Sequence, residues 1–148
     1  HTWKTFLVMA HTTTITLIAM ADMQEPIKGF LMNKKLPGAR LSLGNQYVEH
    51  NFTRDKETHR FTVNADLAKG THELKFEFTS KREDQGALEI KKLNIQGAPI
   101  GLPIYEGTYH SWTNKKNLKG HLYMGWPGTW TYDLEVPVEQ HKGDIGFE

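Results

Sequence analysis

Along most of this chain apolar and polar side chains alternate one for one, the period of a strand with one buried face, rather than every three to four residues as in an amphipathic helix. Over residues 58–65, Phe61, Val63 and Ala65 share one side, and Thr58, Arg60, Thr62 and Asn64 the other. Residues 73–78 repeat the device, with Leu74, Phe76 and Phe78 opposite Glu73, Lys75 and Glu77. Lys69-Gly70 lies between these two runs, which predicts that they pair as a hairpin. Upstream, Leu41 and Leu43 lead into Gly44-Asn45, a pair suited to the positive φ of a tight turn, and Val48, His50 and Phe52 follow on one face. A second hairpin is expected there. In residues 88–95 the apolar positions are Leu88, Ile90, Leu93 and Ile95, so the phase slips by one at Lys91-Lys92. A β-bulge at that point would keep all four inward. Near the end, Trp130, Tyr132, Leu134 and Val136 line one face of residues 129–136.

Residues 12–18 are a run of β-branched side chains with little alternation, which suggests a strand covered on both sides or paired with a neighbouring chain. Residues 3–9 are a further candidate strand. No segment carries a helical stripe with caps. Eight or nine short strands separated by Gly, Asn and Pro turns predict an all-β, antiparallel β-sandwich of jelly-roll type, with a barrel as the lesser alternative. The whole of residues 1–148 reads as one such domain, with a core over 10–97 and an aromatic-rich loop and closing strands over 98–148. Two stretches, 21–37 and 99–118, look irregular and long enough to be functional loops.

Composition narrows the choice of partner. The 148 residues carry 18 basic and 17 acidic side chains, a formal charge of +1, so no general attraction to nucleic acid is expected. The longest apolar runs, 6–9 and 17–20, are far below the roughly 20 residues of a membrane helix, and no signal peptide is visible. There is no cysteine for disulfides or a zinc cage, and a chain of this length can bury a sufficient core without them.

Catalytic patterns are sparse, and the chain reads as a non-enzyme. Ser42, Ser80 and Ser111 are the only serines, and none occupies a nucleophile elbow. His110-Ser111 with Asp133 or Asp144 lacks a matched third partner. Glu73 and Glu77 flank Lys75 on an outward strand face, and Glu106 with Asp133 is a pair that nothing in the sequence favours for glycoside hydrolysis. Of the eight histidines, His59 and His72 have the parity of packed, hydrogen-bonded edge residues. His1, were it a free terminus, could chelate copper through its amine and imidazole together with a second histidine.

The strongest signal is aromatic. Tyr105, Tyr109, Trp112, Tyr123, Trp126, Trp130 and Tyr132 place three of the four tryptophans and four of the five tyrosines within 28 residues. Flat rings with polar edges stack on sugars and also anchor protein interfaces. Trp130 and Tyr132 share the parity of Leu134 and Val136 and belong to the core. Tyr109, Trp112 and Trp126 sit in turn-rich sequence and are the candidate ligand-binding rings, with Asn114, Asn117 and His121 as hydrogen-bonding partners. A glycan or a neighbouring protein subunit would suit that set equally.

The order of segments carries a resemblance. A strand and Gly-Asn turn in "ARLSLGNQYVEHNFT", then "THRFTVNADL", "AKGTHELKFEFTS", an acidic loop "KREDQG" and a closing strand "ALEIKKLNIQG" together resemble the calcium-dependent, xylan-binding type of carbohydrate-binding module. Similar β-sandwich modules occur in phage virion proteins, where the closing strand leads into a segment like "MGWPGTWTYDLEVPV". The resemblance implies a non-catalytic module in an oligomeric extracellular or virion-surface assembly, binding glycan or adjoining subunits. Its alternative is a purely structural decoration, tail or filament subunit that grips neighbours through the Thr-rich strand. The resemblance also implies calcium, held by Glu25 from the first loop and by Glu83 and Asp84 from the acidic loop. Where such modules carry an aspartate in the closing strand this chain has Lys91, and Lys81 and Arg82 crowd the acidic loop. Cations there would repel the ion.

Overall fold

The computed structural model describes residues 10–23 and 35–138. These form β1 (Ala10–Asp22), β2 (Gly38–Leu43), β3 (Gln46–Asn51), β4 (Thr58–Ala68), β5 (Gly70–Phe78), β6 (Ala87–Ile95), β7 (Ala98–Pro99), a 3₁₀ turn (Leu102–Glu106), β8 (Thr108–Ser111), β9 (Asn117–Lys119), β10 (Tyr123–Met124) and β11 (Gly128–Val136). One antiparallel sheet runs β10-β6-β1-β4, with β7 also on β6, and the other runs β3-β2-β5-β11-β8-β9. Their inner faces meet in a single apolar core. The sandwich is the expected one, and its strand number exceeds eight or nine because β7, β9 and β10 are too short to show a period. No helix among the described residues is long and apolar enough to cross a membrane. The candidate strand at residues 3–9 and the copper ligand His1 lie outside the described residues.

Inward parity is as the alternation required. Phe61, Val63, Ala65 and Leu67 on β4 and Leu74, Phe76 and Phe78 on β5 are buried. The two strands are nevertheless not a hairpin: β4 pairs with β1, and β5 pairs with β2 and β11. Lys69 and Gly70, the latter at φ +135°, carry the chain round a corner from one sheet to the other. The two apolar faces therefore meet across the sandwich, where Phe61 and Phe76 pack edge to face with centroids 5.2 Å apart. The other hairpin does form. β2 and β3 are joined by Gly44-Asn45, with Gly44 at φ +62° in the position where a type II′ turn needs it.

The phase slip in β6 is a bulge. Ile18 is opposite Lys92 and Ala19 opposite Ile90, so Lys91 is the extra residue, and Leu88, Ile90, Leu93 and Ile95 all stay buried. β1 is not covered on both faces, since its residues alternate between buried and part-exposed, and its edges are taken by β4 along Ala10–Met20 and by β6 along Ile15–Asp22. Its Thr13, Ile15, Leu17, Ala19 and Ala21 are buried, while the opposite threonines bond sideways to β4. Thr12 donates to Asp66 (2.7 Å), Thr14 to Asn64 (2.6 Å), and Thr16 bonds Thr62 (3.0 Å). That ladder explains the β-branched run. The stretch 99–118, expected as loop, contains the 3₁₀ turn and β8, which β9 and β11 flank.

Candidate functional site

At one end of the second sheet the chain makes two tight reversals in quick succession. β8 ends at Ser111, a turn with Lys115 at φ +62° returns it as β9, and Gly120 at φ +78° turns it again toward β10. Asn114 stabilises the first turn by accepting from the Lys116 N–H at 3.0 Å. The chain then crosses Gly125 to Pro127 and enters β11 beside β8. Contact is so close there that a Cβ on Gly128 would lie 2.3 Å from the His110 carbonyl oxygen and 2.7 Å from the Tyr109 ring.

These segments enclose a hollow of about 420 Å³ lined by Tyr109, Asn114, Leu118, His121, Tyr123 and Trp126, together with Ser111, Lys116 and Gly125. Tyr109 is its floor. Only 2% exposed, it stacks under His121 with centroids 5.7 Å apart and planes 15° from parallel. Its hydroxyl accepts from the Trp126 N–H at 3.0 Å and donates to the Trp126 carbonyl. Burial pushes the Tyr109 phenol above its ordinary range, so it stays protonated and able to donate. Both backbone groups of Trp126 are thereby tied to one phenol, and the indole, 48% exposed, stands at the rim. Across the hollow, Tyr123 donates to Asp22 at 3.0 Å, which fixes the wall to β1.

The structure thus brings together Tyr109, Asn114, His121 and Trp126 of the rings and polar partners expected from sequence. Trp112 does not line the hollow. It is half-buried against the core, with the Lys81 ammonium 5.5 Å from its ring centroid. Asn117 is also elsewhere, its Oδ1 2.7 Å from His110 Nδ1. Leu118 and Tyr123 belong to the lining and were not singled out. Tyr123 lies in the aromatic cluster, but Leu118 is on a three-residue edge strand whose pattern is too short to read.

The acidic loop does not make a calcium cage. Calcium takes six to eight oxygen ligands. Both oxygens of Asp84 face the Arg82 guanidinium, at 2.9 and 2.8 Å, and that hydrogen-bonded cation holds the carboxyl below its ordinary range. Glu83 is exposed beside it, and Lys91 lies near Glu89 at 3.5 Å. Glu25 lies outside the described residues. Of the two that are described, Asp84 is taken by Arg82 and Glu83 is exposed, so they do not fit the oxygen cage the ion needs.

A second, open hollow of about 440 Å³ contains Glu106 and Asp133, the carboxylate pair considered for hydrolysis. Both are exposed, and Lys119 sits 3.1 Å from Glu106. A general acid for glycoside cleavage needs a desolvated carboxyl, which neither is.

No protein-family model matches the sequence, and a search of curated proteins found none similar. Among solved structures the chain is similar to vCBM60 in complex with galactobiose, with a TM-score of 0.53 and 14% identity over 82% of this chain and 99% of that one. It is likewise similar to a second structure of vCBM60, described with a circular permutation linking two families of calcium-dependent carbohydrate-binding modules. That match has a TM-score of 0.57 and 16% identity, covering 87% of this chain and 96% of the other. At such identity the likeness establishes a shared fold.

Proposed function

We propose that this chain is a non-catalytic, glycan-binding β-sandwich module that works outside the cell or on a virion surface. The observation that carries the reading is the exposed indole of Trp126, its backbone tied to the Tyr109 hydroxyl, at the rim of a hollow that combines aromatic rings with a few polar side chains. A sugar ring lying flat on that indole covers its apolar face. His121, Asn114 and Lys116 are within the same hollow to bond the hydroxyls. The shared fold with vCBM60, one structure of which holds galactobiose, supports a saccharide ligand. The mode differs from calcium-mediated capture: rings and amides do the holding here. The segment Met124–Val138, which supplies the rim and the closing strand, supports the virion setting through its resemblance to such proteins.

The test is a glycan array followed by calorimetry with galactobiose and xylo-oligosaccharides at millimolar concentration. Saturable binding that disappears in Trp126→Ala, with the fold intact by circular dichroism, is the expected result. Absence of binding to any saccharide, alongside concentration-dependent self-association, would turn the assignment toward a structural subunit.

A further inference from the structure

On the side of the sandwich away from this hollow, β3 and β4 are the outermost strands of their respective sheets. Three metal-ligating side chains converge across that seam: His50 from β3, His59 from β4, and Glu57 from the connection between them. Both imidazoles rest on the core. His50 packs edge to face on Phe52 at 4.9 Å, and His59 does the same on Phe61 at 4.7 Å. The two imidazoles face each other at 3.6 Å with planes 1° from parallel. Glu57 is held in place from behind. Its Oε1 accepts from the Thr53 N–H at 2.7 Å and from Thr53 Oγ1 at 3.1 Å, leaving Oε2 2.7 Å from His50 Nε2.

One nitrogen of each imidazole and one oxygen of Glu57 lie within 4.8 Å of one another, with all three residues half-buried. Bonds of about 2.1 Å to a tetrahedral ion set ligand atoms roughly 3.4 Å apart. Reaching that opens the His50 Nε2–Glu57 Oε2 pair from its 2.7 Å and draws together the other ligand atoms, which lie up to 4.8 Å apart. It also needs one rotation, because an ion in the plane of one stacked ring lies outside the plane of the other. Turning His59 about its Cβ–Cγ bond supplies it. The anchored carboxylate needs no such change, since Thr53 already orients it as outer-shell groups orient metal ligands. Lys56, the nearest cation along the connection, is engaged elsewhere, 2.8 Å from Asp22.

Two imidazoles and one carboxylate select a borderline ion over calcium or magnesium, which prefer oxygen donors alone. We propose that His50, Glu57 and His59 form a binding site for a divalent ion of the zinc class, completed by water, that pins the open edges of the two sheets together. The site is independent of the sugar-binding hollow.

The experiment titrates metal-free protein with zinc by calorimetry, with cobalt by visible absorption, and with calcium as a control. One zinc per chain, a rise in melting temperature of about 5–10 °C at saturating zinc, and intense cobalt bands of low coordination number are expected. His59→Ala and Glu57→Gln should each weaken zinc binding at least tenfold. Glu57→Gln is nearly isosteric, so it keeps the test valid should the histidine variant fold poorly. No saturable zinc binding, or binding unchanged in both variants, would overturn the proposal.

Discussion

Replacing Tyr109 by Phe removes one oxygen and leaves the ring, its stacking on His121 and its burial in place. That oxygen carries the two hydrogen bonds that tie down the backbone of Trp126. A hydrogen bond contributes about 0.5–1.5 kcal/mol net, so the pair is worth about 1–3 kcal/mol. The exposed position of Trp126 lets water replace part of the loss, which places the expected cost near 2 kcal/mol rather than at the upper end. For a domain of this size, where 1 kcal/mol moves the melting temperature by about 2–4 °C, the midpoint should fall by about 4–8 °C. Calorimetry reads that shift, and urea denaturation should return it with an unchanged m-value. Sugar affinity should fall too, because the indole must then be ordered on binding. An immobilised side chain costs about 0.5–1.5 kcal/mol, a factor of roughly three to ten in Kd. Trp126→Ala should show the opposite balance: stability within about 0.5 kcal/mol of wild type, since the ring is exposed, and binding weakened by about thirtyfold or more. A Tyr109→Phe protein that melts within a degree of wild type would show that the clamp does not hold the loop. If Tyr109→Phe abolished sugar binding while Trp126→Ala preserved it, the stacking assignment would be wrong.

Gly107 passes so close to the buried Trp130 that an added Cβ would lie 2.4 Å from the indole. Gly107→Ala should therefore cost about 1–3 kcal/mol by overpacking, read as a lower urea midpoint. Calcium should not stabilise the fold: zinc-free protein in EGTA and in millimolar calcium should melt together. A bound ion at a hundred times its Kd would instead add ~2.7 kcal/mol, and a rise of several degrees would restore the acidic loop as a ligand set. Acid should weaken the seam. The Thr53 N–H, then His50, hold the Glu57 carboxyl at about 2 against an ordinary 4.5. Its stabilisation is therefore complete above pH 4.5 and is lost as pH falls toward 2. Burial, then its neighbour His50, lower the pKa of His59 below 6.5, so protonating it also opposes folding in acid. In chelator, the stability gap between wild type and Glu57→Gln should close as pH falls from about 4.5 toward 2. A gap that does not change over that range would contradict the hydrogen-bonded geometry of the carboxylate.

Side-chain parity was legible in the alternating segments, though not in the β-branched run of β1, whose outward threonines hid its period. Phe61, Val63, Leu74 and Phe76 are buried as their alternation required, and the slip at Lys91 is the bulge that keeps Leu93 and Ile95 inside. The reason is local: covalent geometry turns successive strand residues to opposite faces whatever lies beside them. Part of the site was legible for a similar reason, since Gly, Pro and Asn around Tyr109 and Trp126 mark reversals that bring neighbouring rings together. Which strand lies beside which was not. β4 and β5 carry equally good apolar faces, and those faces are satisfied whether the strands pair side by side or oppose each other across the core. Only competition among distant segments decides it: β1 takes β4, and β2 and β11 take β5. The same competition turned Tyr109 from an expected sugar-stacking ring into the clamp beneath Trp126 and swung Trp112 toward Lys81. It also stacked His50 on His59 from strands in different sheets. Sequence thus determined the faces, because they depend on neighbours along the chain. Tertiary structure decided the partners, because hydrogen bonds between strands are alike and only the packing of the whole sandwich ranks them.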